Sequence, residues 1–294
     1  MSAGISPAYS SSVTRASNPP VHTPAVFLMC PPKLYDVNYV INPWMAGNVH
    51  ASSRARAAEQ WQHLYEAVIQ IADIVLVEPQ PGSPDMVFTA NAGLERNGKV
   101  VLSSFLHPER QDEEKHFRRW FEDAGYKVLN IPRETPFEGE GDALFTPDGS
   151  RLWAGYGPRT LQSSHKYLHE AWGVEVVSLH LIDPRFYHLD TCFAPLATGD
   201  VMYYPSAFDE TSVREIEAFY PEHRHILVTE ADALRFACNA INIDRTVILN
   251  EVSRELSDQL KARGFQVIQV ALSEFLKAGG AAKCLVMRLS GATH

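Results

Sequence analysis

Residues 87–105 read Val87-Phe-Thr-Ala-Asn-Ala-Gly-Leu-Glu-Arg-Asn-Gly-Lys-Val-Val-Leu-Ser-Ser-Phe105. Two apolar runs flank Asn97-Gly98. A tight hairpin turn needs positive φ at its central residues, which Asn and Gly adopt most easily, so the stretch predicts strand, turn, strand. The same pattern returns in residues 140–157 around Asp148-Gly149, in 186–204 around Gly199-Asp200, and in 237–250 around Asp244-Arg245. Residues 279–289 give one last strand, whose expected partner is Ala25 to Cys30 at the other end of the chain.

Each hairpin is followed by a helical pattern: Pro108 to Ala124, Arg159 to Trp172, Glu210 to Tyr220 and Ser253 to Arg263. Val213, Ile216 and Phe219 recur at three-residue spacing, the stripe of an amphipathic helix. Pro108 and Ser253 suit helix starts, and Gly125 and Gly264 suit stops. A further helix, Ser52 to Ala72, precedes the first hairpin. Short β-rich runs close the units: Ile74 to Glu78, Lys127 to Ile131, Val174 to Leu179, His225 to Thr229 and Gln266 to Val270. The unit is therefore strand, strand, helix, strand, about five times over. Roughly 55 residues per unit is a propeller or array period. The expected fold is α/β, a five-bladed α/β propeller of pseudo-fivefold ββαβ units, closed by pairing the last strand with the first.

The totals agree with one large globular domain. The chain has 294 residues, 45% hydrophobic and 21% charged, enough to bury a sizeable core. A Ser- and Pro-rich segment, residues 1–22, reads as a disordered tail. Residues 23–294 read as a single catalytic domain with no interdomain linker. The net charge of -9 argues against a nucleic-acid partner and suits a cationic small molecule. Cys30, Cys192, Cys238 and Cys284 are scattered, with no C-x-x-C and no zinc-like spacing. No metal is expected, and the cytoplasm is the expected compartment. His223-Arg224-His225 reads as a solvated loop. No apolar run approaches membrane-spanning length. A homo-oligomer is compatible with these features.

The polar residues fall in register with the repeat. At the start of each hairpin's first strand stand Asn91, Glu138 to Asp142, His188 with Asp190, Cys238 with Asn239, and Cys284. The steps from Asn91 to Glu138, His188, Cys238 and Cys284 are 47, 50, 50 and 46 residues. Equivalent positions of a closed array converge on its axis. An amide, carboxylates, an imidazole and a thiol would then share one cavity. Strand starts carry polar residues simply because they adjoin loops, which accounts for any one of these. It accounts less well for a thiol, an imidazole and a carboxylate together, which form a nucleophile set. On a strand, His188 and Asp190 would share one face, able to transfer protons and hold a cation. Cys284 follows Gly279-Gly280, which allows close backbone approach and a hinged loop over a ligand. Lys283, His188 or a cationic substrate could activate it. Cys238 is the second candidate nucleophile. Cys192 and Cys30 are expected to be buried.

Four motifs carry a resemblance: Phe88-Thr-Ala-Asn91, Phe137-Glu-Gly-Glu-Gly-Asp142, His188-Leu-Asp190 and Gly279-Gly-Ala-Ala-Lys-Cys284. In this order and spacing, the chain from about Val26 to Arg288 resembles the guanidino-group-modifying superfamily of arginine deiminases, dimethylarginine dimethylaminohydrolases and amidinotransferases. That resemblance implies a five-bladed α/β propeller and no cofactor. It implies Cys284 as nucleophile, His188 as general acid and then base, Glu138 orienting His188, and Asp190 gripping the guanidinium. It implies Arg110 and Arg159 as clamps for the substrate carboxylate, a task bidentate arginine suits. Glu140 is inserted where the superfamily has Glu-Gly-Gly-Asp, so the orienting carboxylate lies between Glu138 and Glu140.

Deiminases carry Asp where this chain has Asn91. With Asn42-Pro-Trp upstream, the pattern is most like the ammonia-producing arginine dihydrolases, and Asn42 joins the substrate-binding set. Some of these are fused to an ornithine-cyclising domain, which is not expected in this sequence. A carboxylate only accepts hydrogen bonds, whereas an amide both donates and accepts. Asn91 could hold arginine and then neutral citrulline. The implied activity is hydrolysis of L-arginine to ornithine, CO2 and two ammonia. The alternative is a single hydrolysis of arginine or methylated arginine to citrulline. Amidinotransfer and a non-catalytic amino-acid-binding protein are weaker readings, the latter because binding needs no thiol.

Overall fold

A computed structural model describes residues 25–290. The segment expected to form a tail, residues 1–22, lies outside them. Along the chain come β1 (Val26–Met29) and β2 (Asp73–Leu76), then β3 (Gly93–Arg96), β4 (Lys99–Leu102) and β5 (Lys127–Leu129). Next are β6 (Ala143–Phe145), β7 (Arg151–Tyr156) and β8 (Glu175–His180), then β9 (Phe193–Pro195), β10 (Val201–Tyr203) and β11 (His225–Leu227). The last four are β12 (Ile241–Ile243), β13 (Thr246–Leu249), β14 (Gln266–Gln269) and β15 (Met287–Leu289). They form five three-stranded sheets. In each, the middle strand pairs antiparallel with the first and, across a helix, parallel with the third.

The fifth sheet joins the chain's two ends. β15 pairs antiparallel with β1, Leu28 opposite Met287, and β1 pairs parallel with β2. This is the partnership expected of Ala25 to Cys30. The hairpin turns lie where expected, with positive φ at Asn97, Gly98, Gly149, Gly199 and Asp244.

The helices cover the sheets through apolar stripes. Phe117 and Phe121 of helix Glu113–Asp123 are fully buried with Val100 and Leu102 of β4, and each such phenyl contributes roughly 2–3 kcal/mol. Helix Arg254–Ala262 buries Leu256 and Leu260. It starts at Ser253, whose side chain accepts from the Leu256 N–H, an N-cap. Two helical stretches differ from the sequence reading. Pro108–Ala124 divides into Pro108–Gln111 and Glu113–Asp123. The helix placed from Arg159 begins only at His165, after a 3-10 turn at Gln162–Ser164. The Arg159 side chain is drawn inward instead, where it bonds Glu138. Of the stripe in Glu210–Phe219, Ile216 is buried, while Phe219 is partly exposed and packs edge-on against Trp153.

The placement that matters most for the site differs too. Asn91, Glu140, Asp190 and Cys284 do not begin strands. Each lies in a 3-10 turn just before one: Thr89–Ala92, Gly139–Gly141, Leu189–Thr191 and Lys283–Leu285. His188 and Asp190 therefore do not share a strand face. Ladder pairing starts only at Phe193. Before it, the Thr191 hydroxyl and N–H both turn back to the His188 carbonyl. The turns pack on one another, Thr89–Ala92 against both Gly139–Gly141 and Lys283–Leu285, and Gly139–Gly141 against Leu189–Thr191. The five first strands, β3, β6, β9, β12 and β15, run away from that cluster.

Candidate active site

The clustered turns bring the predicted residues together. His188 Nε2 lies 2.8 Å from Glu138 Oε2, and that oxygen also accepts from Arg159 Nη1 at 2.9 Å. Both Glu138 and His188 are buried. Burial alone would raise the Glu138 pKa, but the Arg159 guanidinium and the His188 bond outweigh it and hold the carboxyl well below the usual range. An ionised Glu138 fixes the imidazole and leaves Nδ1 as the nitrogen for reacting atoms. Glu140, the other candidate partner, faces away. It accepts from Lys283 Nζ at 2.6 Å and from the Arg288 N–H at 3.0 Å. Of the two, Glu138 is the one bonded to the histidine, whose Nε2 also lies 3.9 Å from Asp142 Oδ2, and Lys283 is engaged by Glu140.

Gly141 makes this packing possible. A Cβ there would stand 2.3 Å from Asn91 Nδ2 and 3.3 Å from His188 Nδ1. Asp142, next in the chain, anchors the following turn by accepting the Leu189 N–H at 3.0 Å and the Thr160 hydroxyl at 2.6 Å.

On the other side of the cluster, Cys284 Sγ lies 3.5 Å from Asp190 Oδ2. Burial first, and then the Asp190 carboxylate, push the thiol well above its ordinary pKa. Burial likewise pushes Asp190 up to about 7, against the pull of Lys283 and the Cys284 and Asn239 hydrogen bonds. A cation between them would reverse both shifts, because each anionic form would gain a partner.

Asn239 fixes the thiol. Its Nδ2 donates to Cys284 Sγ at 3.1 Å and to the Asp190 carbonyl at 3.2 Å. Its Oδ1 accepts from the Cys284 and Ala281 N–H groups at 3.0 and 3.2 Å. The repeat register places Asn239 at a site position without giving it a task, and these bonds supply one. Cys238, its neighbour and the second candidate nucleophile, does not line the cavity at Cys284, and burial raises its pKa. Cys192 and Cys30 are buried, as expected.

Asn42, Asn91, Arg110, Arg159 and Cys284 line one cavity together with Asp85. Asn42 Nδ2 donates to the Ala278 carbonyl at 3.0 Å, while its Oδ1 caps the turn Pro43–Met45. Arg110 makes four hydrogen bonds, to Asn91, to the Asp85 carbonyl and twice to Glu113. That leaves little of its five-donor fork. Arg159 makes two, to Glu138 and the Ile41 carbonyl, so most of its donors remain. Asp85 escapes the sequence reading, which assigns nothing between Glu78 and Val87. Its Oδ1 is buried without a partner on the cavity wall, a feature suited to an ammonium group. Among the described residues no cluster of His, Cys, Asp and Glu suits a metal ion.

A family model described as "N,N dimethylarginine dimethylhydrolase, eukaryotic" matches residues 38–290. The chain belongs to the dimethylarginine dimethylaminohydrolase family. The chain is similar to the bifunctional arginine dihydrolase/ornithine cyclodeaminase AgrE of a Nostoc species, 57% identical over 264 residues. That match covers 90% of this chain and 38% of the relative, so the chain spans about two-fifths of that protein's length. It is 38% identical to the N(G),N(G)-dimethylarginine dimethylaminohydrolase of Mycobacterium tuberculosis, over 94% of this chain and 90% of that one. Among solved structures it resembles the N-terminal domain of ArgZ, a cyanobacterial arginine dihydrolase, in a cysteine-to-serine variant bound to substrate. The TM-score is 0.89 at 55% identity, covering 90% of this chain and 97% of that one.

Proposed function

We propose that this chain hydrolyses the guanidino group of L-arginine twice, giving ornithine, CO2 and two ammonia. The observation that carries the reading is a cation-seeking Cys284–Asp190 couple, 3.5 Å apart, whose thiol lines the same cavity as Asn91, an amide. The identity to arginine dihydrolases over 90% of the chain supports it.

The guanidinium settles against Asp190, and its charge lets Cys284 ionise. The thiolate attacks the guanidinium carbon. His188, held by Glu138, protonates the departing nitrogen, and ammonia leaves an S-alkylthiouronium on the enzyme. His188 then takes a proton from water, which displaces the sulfur and gives citrulline. Asn91 donates to the ureido oxygen that would repel a carboxylate. A second attack releases ornithine and a carbamoyl group that hydrolyses to CO2 and the second ammonia. Asp85 holds the α-amino group. Arg159, with Arg110 behind it, and Asn42 hold the carboxylate end. Residues 23–294 act as one catalytic domain, a closed five-bladed propeller in which β15–β1 pairing joins the ends. The cytoplasm suits its four free thiols, and a homo-oligomer is compatible with the reading. No helix among the described residues is long and apolar enough to cross a membrane.

Cys284→Ser tests the assignment. The variant should keep its circular dichroism and bind arginine in calorimetry, while turnover falls by roughly 10^3-fold or more. Turnover near the wild-type rate would remove Cys284 from the chemistry.

A further inference from the structure

Two hydrolyses on one carbon skeleton place a demand on the fold. After the first, ammonia must leave and a water must enter while citrulline stays. The substrate-side cavity is about 10 Å3, and Ile41, Asn42 and Met45 line it. Exchange on that side would share the path by which citrulline leaves.

The opposite side of the catalytic layer is built differently. There the five first strands line a second cavity, of about 590 Å3, that runs to the hairpin turns at Asn97, Asp148 and Asp244. Asp190 belongs to both sides. Its Oδ2 is 3.5 Å from Cys284 Sγ, and its side chain lines the wide cavity. A single layer of side chains therefore separates the reacting sulfur from this channel. The Lys283–Glu140 ion pair, 2.6 Å apart, lines the same cavity beside it. Glu95, Glu140, Asp148, Asp190 and Asp244 on the walls outnumber Arg96, Lys283 and Arg288, which favours a cation such as ammonium.

We propose that this channel is the route by which ammonia leaves and water enters between the two hydrolyses, an inference that rests on the dihydrolase reading above. Ammonia, carrying the proton delivered by His188, passes the layer where the Lys283 side chain swings from Glu140. It takes up a proton from solvent in the channel, and the acidic walls hold the resulting ammonium. Citrulline is too large to follow.

The test is to fill the channel away from the catalytic residues. Ala194 lies on β9 and lines the cavity, and Ala197, exposed, lies at the hairpin end. Ala194→Trp and Ala197→Trp are compared with the wild type, measuring free citrulline and ornithine per arginine consumed and KM for arginine. Ala197→Trp, at an exposed position, carries the test if the buried substitution impairs folding. The expected result is an unchanged KM and about a tenfold rise in the citrulline-to-ornithine ratio, because ammonia must then leave by the opening that also frees citrulline. A wild type that reaches ornithine, with folded variants that keep its ratio, overturns the channel and leaves the dihydrolase reading standing. A wild type that stops at citrulline overturns both.

Discussion

Asn91 donates to the Glu138 carbonyl at 3.2 Å and accepts from Arg110 at 2.9 Å. An aspartate there would keep the second bond and lose the first, since a carboxylate cannot donate. Asn91→Asp should therefore convert arginine but release citrulline as its main product, as read by amino-acid chromatography; continued ornithine release would sink the role given to the amide. Asp190 gives a prediction of a different kind. Its folded pKa of about 7 lies above the value of 3.8 expected for an unfolded chain, so the folded state binds the proton more tightly. Wild-type stability then falls as pH rises from about 4 to about 7, and the full cost stands above that window. Asp190→Asn removes the titration. Its melting temperature minus that of the wild type should climb across the window and level off above it, and a flat difference would contradict the assignment. Of these residues, Cys284, His188 and Glu138 are legible in the sequence because they recur in register. Asp85 is not, because an unpaired oxygen on a cavity wall becomes visible only when the turn Pro84–Val87 is folded against Arg110.

The 3-10 turn before each first strand is the element that makes the site. A sequence marks hairpins through Asn-Gly and Asp-Gly, but it does not distinguish a strand's first residue from the last residue of a tight turn. That is why His188 and Asp190 read as one strand face. In the structure the turn sends His188 to Glu138 and Asp190 to Cys284, two different partners. The Cys284 turn depends on close approach. A Cβ on Gly280 would stand 2.4 Å from Phe88 Cε1 and 3.3 Å from Cys284 Cβ. Gly280→Ala must displace the Phe88 ring or the nucleophile's turn. It should cost about 1–3 kcal/mol in urea unfolding and lower kcat more than it raises KM. Wild-type kcat would show that the glycine only saves space.

At the scale of the whole molecule, five sheets are legible from turn spacing alone, and so is the pairing of the chain's ends. Val26 opposite Leu289 and Leu28 opposite Met287 bring residue 26 beside residue 289. They also put Cys284, about two-thirds of the chain away from Asn91 in sequence, against the turn Thr89–Ala92. What the spacing does not reveal is the second cavity beyond the catalytic layer, which residues of all five first strands line. Asp190 stands between the two cavities, against Cys284 on one and lining the other. The central claim is that one such site hydrolyses the same carbon twice. It is tested most directly by incubating the purified chain with arginine and measuring ornithine, citrulline and ammonia per arginine consumed. Two ammonia and one ornithine, with little free citrulline, is the predicted result. One ammonia and one citrulline would contradict it.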